Sequence, residues 1–195
     1  MCTGEARKHL KNFSFVTLRI DSNTYLGGQM AEAGVKGIPD GASVVIPRLF
    51  CHDPAAEIDF CRNTFGAVEQ VRRLGPDGTV AHALMTIGPA MIMIEAEWPE
   101  LTSRAPKPDG SSPVAIYVYV EDVDKTVERA VAGGAKVLFP VANQFWGDRI
   151  GWVMDLSGHV WTVATHIEET TEGERQDRWS DILAGSDPGT TPESV

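Results

Sequence analysis

The chain has 195 residues and a mass of 21.2 kDa, which suits one domain or two small halves that share a core. Seventeen basic residues against twenty-seven acidic ones give a formal charge of −10, which argues against nucleic acid or an anionic membrane as a partner. The sequence has no apolar run of membrane-spanning length, and its three cysteines follow no metal spacing. We therefore expect a reduced, cytoplasmic protein.

Residues 1–42 form an N-terminal extension that the rest of the pattern does not explain. Within it, Phe13–Ile20 has the composition of a strand, and the glycines from Gly27 to Gly41 indicate a loop.

Residues 43–98 predict a strand, a helix and three further strands. Ser43–Cys51 is an apolar, strand-like run, and Asp53 followed by Pro54 is typical of a helix start. Gly66 supplies the helix end. The later strands are predicted at 67–74, 81–87 and 90–96, with a turn at Gly88-Pro89.

Residues 114–167 repeat this order at a period near 69 residues. Asp122 stands 69 residues after Asp53 and begins the second helix, which Gly133-Gly134 ends. Strands are predicted at 114–120, 135–141, 150–154 and 159–165, with a turn at 155–158. The sequence thus predicts an α+β fold of two β-α-β-β-β modules.

Two segments lie outside the modules. Residues 99–113 contain four prolines and predict a linker loop. Residues 168–195 hold eight acidic and two basic residues and predict a disordered acidic tail. In the alternative interpretation, Trp179, Ile182 and Leu183 let a short helical piece of this tail dock on the body.

Several strings resemble one family. They are Asp59-Phe60-Cys61 to Phe65-Gly66-Ala67, His82-Ala83, Val120 to Asp124, Gln144-Phe-Trp-Gly-Asp-Arg149 and Gly158-His-Val-Trp161. Together with the doubled module they resemble the vicinal oxygen chelate superfamily of glyoxalases, bleomycin resistance proteins and extradiol dioxygenases, in the glyoxalase-like branch associated with phosphonate operons. The resemblance spans residues 43–167 and implies cupped sheets around a ligand cavity and a homodimer.

The resemblance also bears on metal binding. Metal-using members draw ligands from the first and last strands of each half, and those positions fall on Ile46, Met93, Ala115 and Thr162. A divalent ion needs His, Cys or carboxylate ligands. We therefore expect no metal cofactor at the usual site. A displaced site that uses Glu95, His82 or His166 remains an alternative.

His82 is the candidate catalytic residue. It sits early in the third predicted strand, and an imidazole is suited to proton transfer near neutral pH. The alternative is a half-buried histidine satisfied by the backbone.

Candidate ligand-binding residues come from three places. Gln144, Trp146 and Arg149 lie on the loop before the last hairpin, where Trp146 offers an apolar wall and the other two offer polar contacts. The alternative is that Asp148 and Arg149 only brace this loop.

Tyr117 and Tyr119 share one face of the first strand of the second half, and each hydroxyl needs a partner if it is buried. Met93 suits an adaptable apolar pocket, although methionine is equally a core filler.

Three functions follow from this pattern. The first is a protein that binds a small organic ligand without a metal. The second is a lyase or isomerase with His82 as acid/base. A conventional glyoxalase or dioxygenase ranks last, because its metal positions lack ligands.

Overall fold

The computed structural model describes residues 37–98, 100, 103–107 and 112–185. Within these ranges the chain forms eight strands and three helices, in the following order: β1 Arg48–Cys51, α1 Pro54–Phe65, β2 Val68–Leu74, β3 Val80–Ile87, β4 Ala90–Ala96, β5 Ala115–Tyr119, α2 Val123–Ala132, β6 Lys136–Asn143, β7 Asp148–Met154, β8 Val160–His166 and α3 Glu172–Leu183. The strand expected at Phe13–Ile20 lies outside the described residues.

The strands form two four-stranded mixed sheets with the same topology. Their orders are β1-β4-β3-β2 and β5-β8-β7-β6, and the first and last strand of each module pair in parallel. The equivalent parallel pairs are Arg48 with Met93 and Tyr117 with Thr162. The predicted α+β fold of two β-α-β-β-β modules is confirmed.

Helix ends follow the predicted caps. The Asp53 carboxylate accepts hydrogen bonds from the backbone amides of Ala55 and Ala56, and Gly66 ends α1 with φ of 67°. Asp122 caps α2 in the same way through the Lys125 amide. Among the helices in the described part of the chain, none is long and apolar enough to cross a membrane.

The two modules share one hydrophobic core, where α1 packs against α2. The Phe65 ring of the first module lies 4.6 Å from the Trp161 ring of the second. The Arg129 guanidinium of α2 donates to the Thr64 carbonyl at the end of α1. Val131 of α2 lies away from this core and is about half exposed.

Each sheet has a second face, which neither α1 nor α2 covers and which we call the open face. Side chains alternate along a strand, so every second residue of each strand belongs to this face. At Gly151 a Cβ would meet Val127 of α2, so Trp152 points the other way. The open face of the first module carries Phe50, His82, Leu84, Met93 and Glu95, and that of the second carries Tyr117, Tyr119, Ile150, Trp152 and Thr162.

The acidic tail differs from the expectation of disorder. Helix α3 occupies Glu172–Leu183, and Thr171 begins it with a complete capping box that includes Glu174. The Trp179 ring lies 5.3 Å from the Phe145 ring, so the alternative of a docked helical piece describes this segment. Residues 186–195 lie outside the described part of the chain.

Candidate functional site

The open face of the second module is organised around the carboxylate of Asp148, which is 2% exposed at the start of β7. Its Oδ2 accepts hydrogen bonds from the hydroxyls of Tyr117 at 2.7 Å and Tyr119 at 2.9 Å, and from the indole nitrogen of Trp146 at 3.0 Å. Its Oδ1 lies 2.8 Å from Nδ1 of His166. We call these five residues the Asp148 cluster.

The cluster holds Asp148 in its charged form. Burial alone would raise the pKa of this carboxyl, but the hydrogen bonds from His166, the two tyrosines and Trp146 outweigh burial and lower it. Three donors converge on Oδ2 and one reaches Oδ1, so the carboxylate holds four neighbouring side chains at once. Asp148 therefore acts as a support for its neighbours.

Contact with Asp148 raises the pKa values of three of its partners. Burial and its hydrogen bond to Asp148 raise the pKa of Tyr117. The pKa of Tyr119 is raised by the separate hydrogen bond that it donates to Asp148. The hydrogen bond that His166 donates to Asp148 also raises the pKa of the imidazole. Both tyrosines are thus neutral donors whose hydroxyls are committed to the cluster.

A tight turn brings Trp146 into the cluster. The Gln144 amide donates to the Asp148 carbonyl at 2.7 Å, and the Gly147 amide donates to the Gln144 carbonyl at 3.1 Å. Gly147 has φ of 98°, and a Cβ there would collide with the Glu168 carbonyl. Only glycine fits this turn without displacing the segment that follows β8.

The hydrogen bonds leave aromatic ring faces available to a ligand. The two tyrosine rings lie 5.2 Å apart, and Tyr117 and Tyr119 are 46% and 62% exposed although their hydroxyls are bound. Trp152, beside them on the same face, is also partly exposed and stands 5.8 Å from Phe139. This surface is rigid and aromatic, and it suits stacking against an apolar or planar ligand.

Two residues of the candidate loop are occupied by local contacts. The Arg149 guanidinium pairs with Asp124 at 2.7 Å and donates to the side chain of Asn143, on the face opposite Asp148. The side-chain amide of Gln144 donates at 3.4 Å to the Ala142 carbonyl. Arg149 therefore links α2 to β7. Asp148 does more than brace the loop, because it accepts hydrogen bonds from the other four residues of the Asp148 cluster.

The candidate acid/base lies in the other module. Nδ1 of His82 stands 3.4 Å from Oε1 of Glu95, and Arg48 binds the same carboxylate with two nitrogens, at 2.9 and 2.5 Å. These hydrogen bonds outweigh burial and lower the pKa of Glu95. Met93 lies on this open face between Arg48 and Leu84. The structure thus groups His82 and Met93 in one module and the tyrosines and Trp146 in the other.

The side chains do not fit a divalent metal at the expected positions. Ile46, Met93, Ala115 and Thr162 offer no imidazole, thiolate or carboxylate. In the described ranges, no three His, Cys, Asp or Glu side chains are grouped to ligate an ion. The displaced alternative is also poorly suited, because Arg48 occupies the Glu95 carboxylate and Asp148 occupies His166.

Sequence reasoning missed the central role of Asp148 and its pairing with His166. The signal was present in the last hairpin, because a turn at 155–158 sets Met154 opposite Val160 and so places Asp148 opposite His166.

Comparison with known proteins adds a family match. The model of the Glyoxalase/Bleomycin resistance protein/Dioxygenase superfamily matches residues 43–163. The chain is 38% identical over 133 residues to uncharacterized proteins of Mycobacterium bovis and Mycobacterium tuberculosis H37Rv. The match covers 67% of this chain and 88% and 78% of those proteins.

Solved structures share the fold at low identity. A glyoxalase/bleomycin resistance protein/dioxygenase family enzyme from Burkholderia phytofirmans is 19% identical with a TM-score of 0.53, over 65% of this chain and all of that one. The fosfomycin resistance protein FosX of Listeria monocytogenes, solved with Mn(II) and sulfate, is 19% identical with a TM-score of 0.51, over 70% and 97%. At this identity the likeness concerns the fold alone.

Proposed function

Because the chain belongs to the glyoxalase/bleomycin resistance protein/dioxygenase superfamily, we propose that it binds a small organic ligand on the open faces of its sheets, without a divalent metal. The binding surface of the second module consists of the ring faces of Tyr117, Tyr119 and Trp146. Met93 offers an apolar contact on the open face of the first module, and Gln144 lies on the turn that carries Trp146. Arg149, predicted to contact the ligand, points to the opposite face and pairs with Asp124.

The Asp148 cluster is the observation that carries this proposal. Four donors converge on one buried carboxylate, so the aromatic rings are fixed before a ligand arrives. A surface ordered in advance loses less conformational entropy on binding. The exposed rings have no covering element in the described part of the chain, which favours a binding role over a packing role.

A ligand screen tests the proposal. Planar aromatic fragments are screened by thermal shift, and hits are measured by titration calorimetry against the full chain. We expect binding tighter than millimolar that Tyr119→Ala weakens and Val131→Ala, on the exposed side of α2, does not. A screen with no ligand below millimolar affinity contradicts the proposal.

A second candidate function is a lyase or isomerase with His82 as acid/base. The contact between His82 and the Glu95 carboxylate favours it, because a carboxylate orients an imidazole for proton transfer. Once a substrate is identified, His82→Ala is expected to reduce turnover by about 100-fold or more. Unchanged turnover in this variant eliminates the assignment.

Four further properties belong to the proposal. We place the chain in the branch associated with phosphonate operons on its Gln144–Arg149 string, and in the cytoplasm because Cys51 and Cys61 are free and buried. We also propose a homodimer, with neither nucleic acid nor membrane as a partner, consistent with the charge of −10.

A further inference from the structure

A groove that is open to solvent lies between α3 and the turn that carries Trp146. Its volume is about 570 Å³, and it is lined by Phe145, Trp146, Glu172, Arg175, Gln176 and Trp179. We call it the tail pocket. No role proposed above uses Phe145, Trp179 or the residues of α3.

Three aromatic rings line the tail pocket. The Phe145 ring stands at 90° to the Trp146 ring at 4.9 Å, and at 32° to the Trp179 ring at 5.3 Å. Trp179 remains 42% exposed, so part of its indole surface is open to solvent. Rings set at right angles offer a bound group two different π surfaces, an arrangement that suits a cation.

The positive charge already in the pocket is neutralised. The Arg175 guanidinium donates through Nε and Nη2 to Glu172 and through Nη1 to the carbonyl and hydroxyl of Thr170. Its donors are directed at these partners, and Glu172 compensates its charge. Arg175 therefore shapes the wall without acting as an anion site.

The surrounding segment is strongly acidic. Residues 168–185 contain six acidic residues and two basic ones, a net charge of −4. A negative potential around exposed indole rings attracts cations and disfavours anions.

The geometry points to a site for an organic cation with a quaternary ammonium group in the tail pocket, held against Trp179 and Trp146 and favoured by the acidic segment around it. Such a group has no N–H to donate, so it is recognised through ring faces and electrostatic attraction. The assignment does not depend on ligand binding at the open faces, because it uses different residues except for the Trp146 ring.

Three probes of nearly equal shape test the assignment on the full chain. Choline carries a trimethylammonium group, dimethylbutanol replaces it with an uncharged tert-butyl group, and dimethylbutyrate adds a negative charge. Binding is followed by tryptophan fluorescence and by the indole N–H signals in NMR. We expect saturable choline binding that shifts the Trp179 signal, with the neutral probe at least fivefold weaker and the anion weaker still.

Matched variants locate the site. Trp179→Leu removes the ring but keeps an apolar side chain, and we expect a loss of choline affinity of about fivefold or more. Trp179→Phe keeps a ring that binds cations more weakly, so its choline affinity should lie between those of the wild type and Trp179→Leu. Trp152→Leu, on the open face of the second module, should leave choline binding unchanged.

Two results overturn the assignment. One is equal binding of choline and dimethylbutanol, which makes the pocket merely apolar. The other is unchanged choline affinity in Trp179→Leu while NMR shows α3 still folded. If Trp179→Leu unfolds α3, the Trp179→Phe variant decides, because equal choline affinity in a folded Phe variant and the wild type then overturns it.

Discussion

Glu57 is a carboxyl group buried in the shared core, with no solvent exposure. Burial is the main cause that raises the pKa of Glu57 to about 9, and the negative charge of Asp155 is the second. Its Oε2 has no hydrogen-bond partner, whereas Asp155 accepts from the Trp161 indole and two backbone amides. Glu57 is thus protonated in the folded protein at neutral pH.

Glu57→Gln is expected to flatten the dependence of stability on pH. The folded protein keeps a proton that the unfolded chain releases above about pH 4.5, so the free energy of unfolding falls as pH rises from there towards 9. One such proton changes this free energy by up to about 1.4 kcal/mol per pH unit. The glutamine has no proton to lose, so the contribution of Glu57 to the slope should disappear.

Urea unfolding at several pH values between these limits measures the slope. Glu169→Gln is the matched control, because the Glu169 side chain is 97% exposed and should not alter the profile. Equal slopes in wild type and Glu57→Gln contradict the prediction.

Asp148→Asn tests the charge at the centre of the cluster. The Asp148 hydrogen bond raises the pKa of His166, so the amide should let that pKa fall towards the ordinary value of about 6.5. The stability that this pairing contributes is present below the pKa of unfolded histidine and is lost as pH rises through the folded pKa. Asparagine should remove that dependence.

The His166 pKa is measured by following the histidine ring signals in NMR through a pH titration of both proteins. Asp124→Asn is the control, because Asp124 pairs with Arg149 and contacts no histidine. A His166 pKa that stays raised in Asp148→Asn would show that Glu169, the other acidic neighbour, sets it.

At the scale of elements, local sequence signals were sufficient for α1 and α2. Asp53, Gly66 and Asp122 act at the predicted ends, since a cap is a contact between residues close in sequence. The first strand begins at Arg48, five residues later than predicted. Pro47 lacks an N–H and enters the ladder only through its carbonyl, which accepts from Met93.

Helix α3 was predicted only as the alternative to disorder, because charge composition was weighed above a local motif. Thr171 and Glu174 form a capping box, a signal that the sequence displays. What holds the helix in place is not local: Arg178 donates to the Phe145 carbonyl and pairs with Glu168. No sequence pattern links residues 33 apart in this way.

Thr171→Ala is expected to loosen α3 without unfolding the modules. Helix α3 has no buried residue, so its cap contributes to its stability beside the contacts of Arg178 and Trp179. Losing a threonine cap costs about 1 kcal/mol, which corresponds to about fivefold faster exchange of its amide hydrogens. Hydrogen exchange by NMR measures this, and Ser180→Ala, inside the same helix, is the control. Protection that is equal in both variants contradicts the prediction.

At the scale of the molecule, the position of the helices explains why the open faces are available. Helices α1 and α2 pack on each other and bury one side of both sheets in a common core. The other sides carry exposed apolar groups, among them Tyr117, Tyr119 and Trp152. The repeat predicted both modules, but the Asp148 cluster required the register of β7 on β8 and the turn at Gly147.

A second copy of the chain is the expected cover for part of this surface. The homodimer predicts a mass near twice 21.2 kDa in light scattering, at micromolar concentration. Trp152→Glu places a charge on the open face and should shift the equilibrium to monomer, because burying an unpaired carboxylate costs several kcal/mol. Val131→Glu adds the same charge at a similarly exposed position on α2 and should leave the dimer intact. A monomeric wild type, or equal dissociation by both variants, contradicts an assembly through the open face.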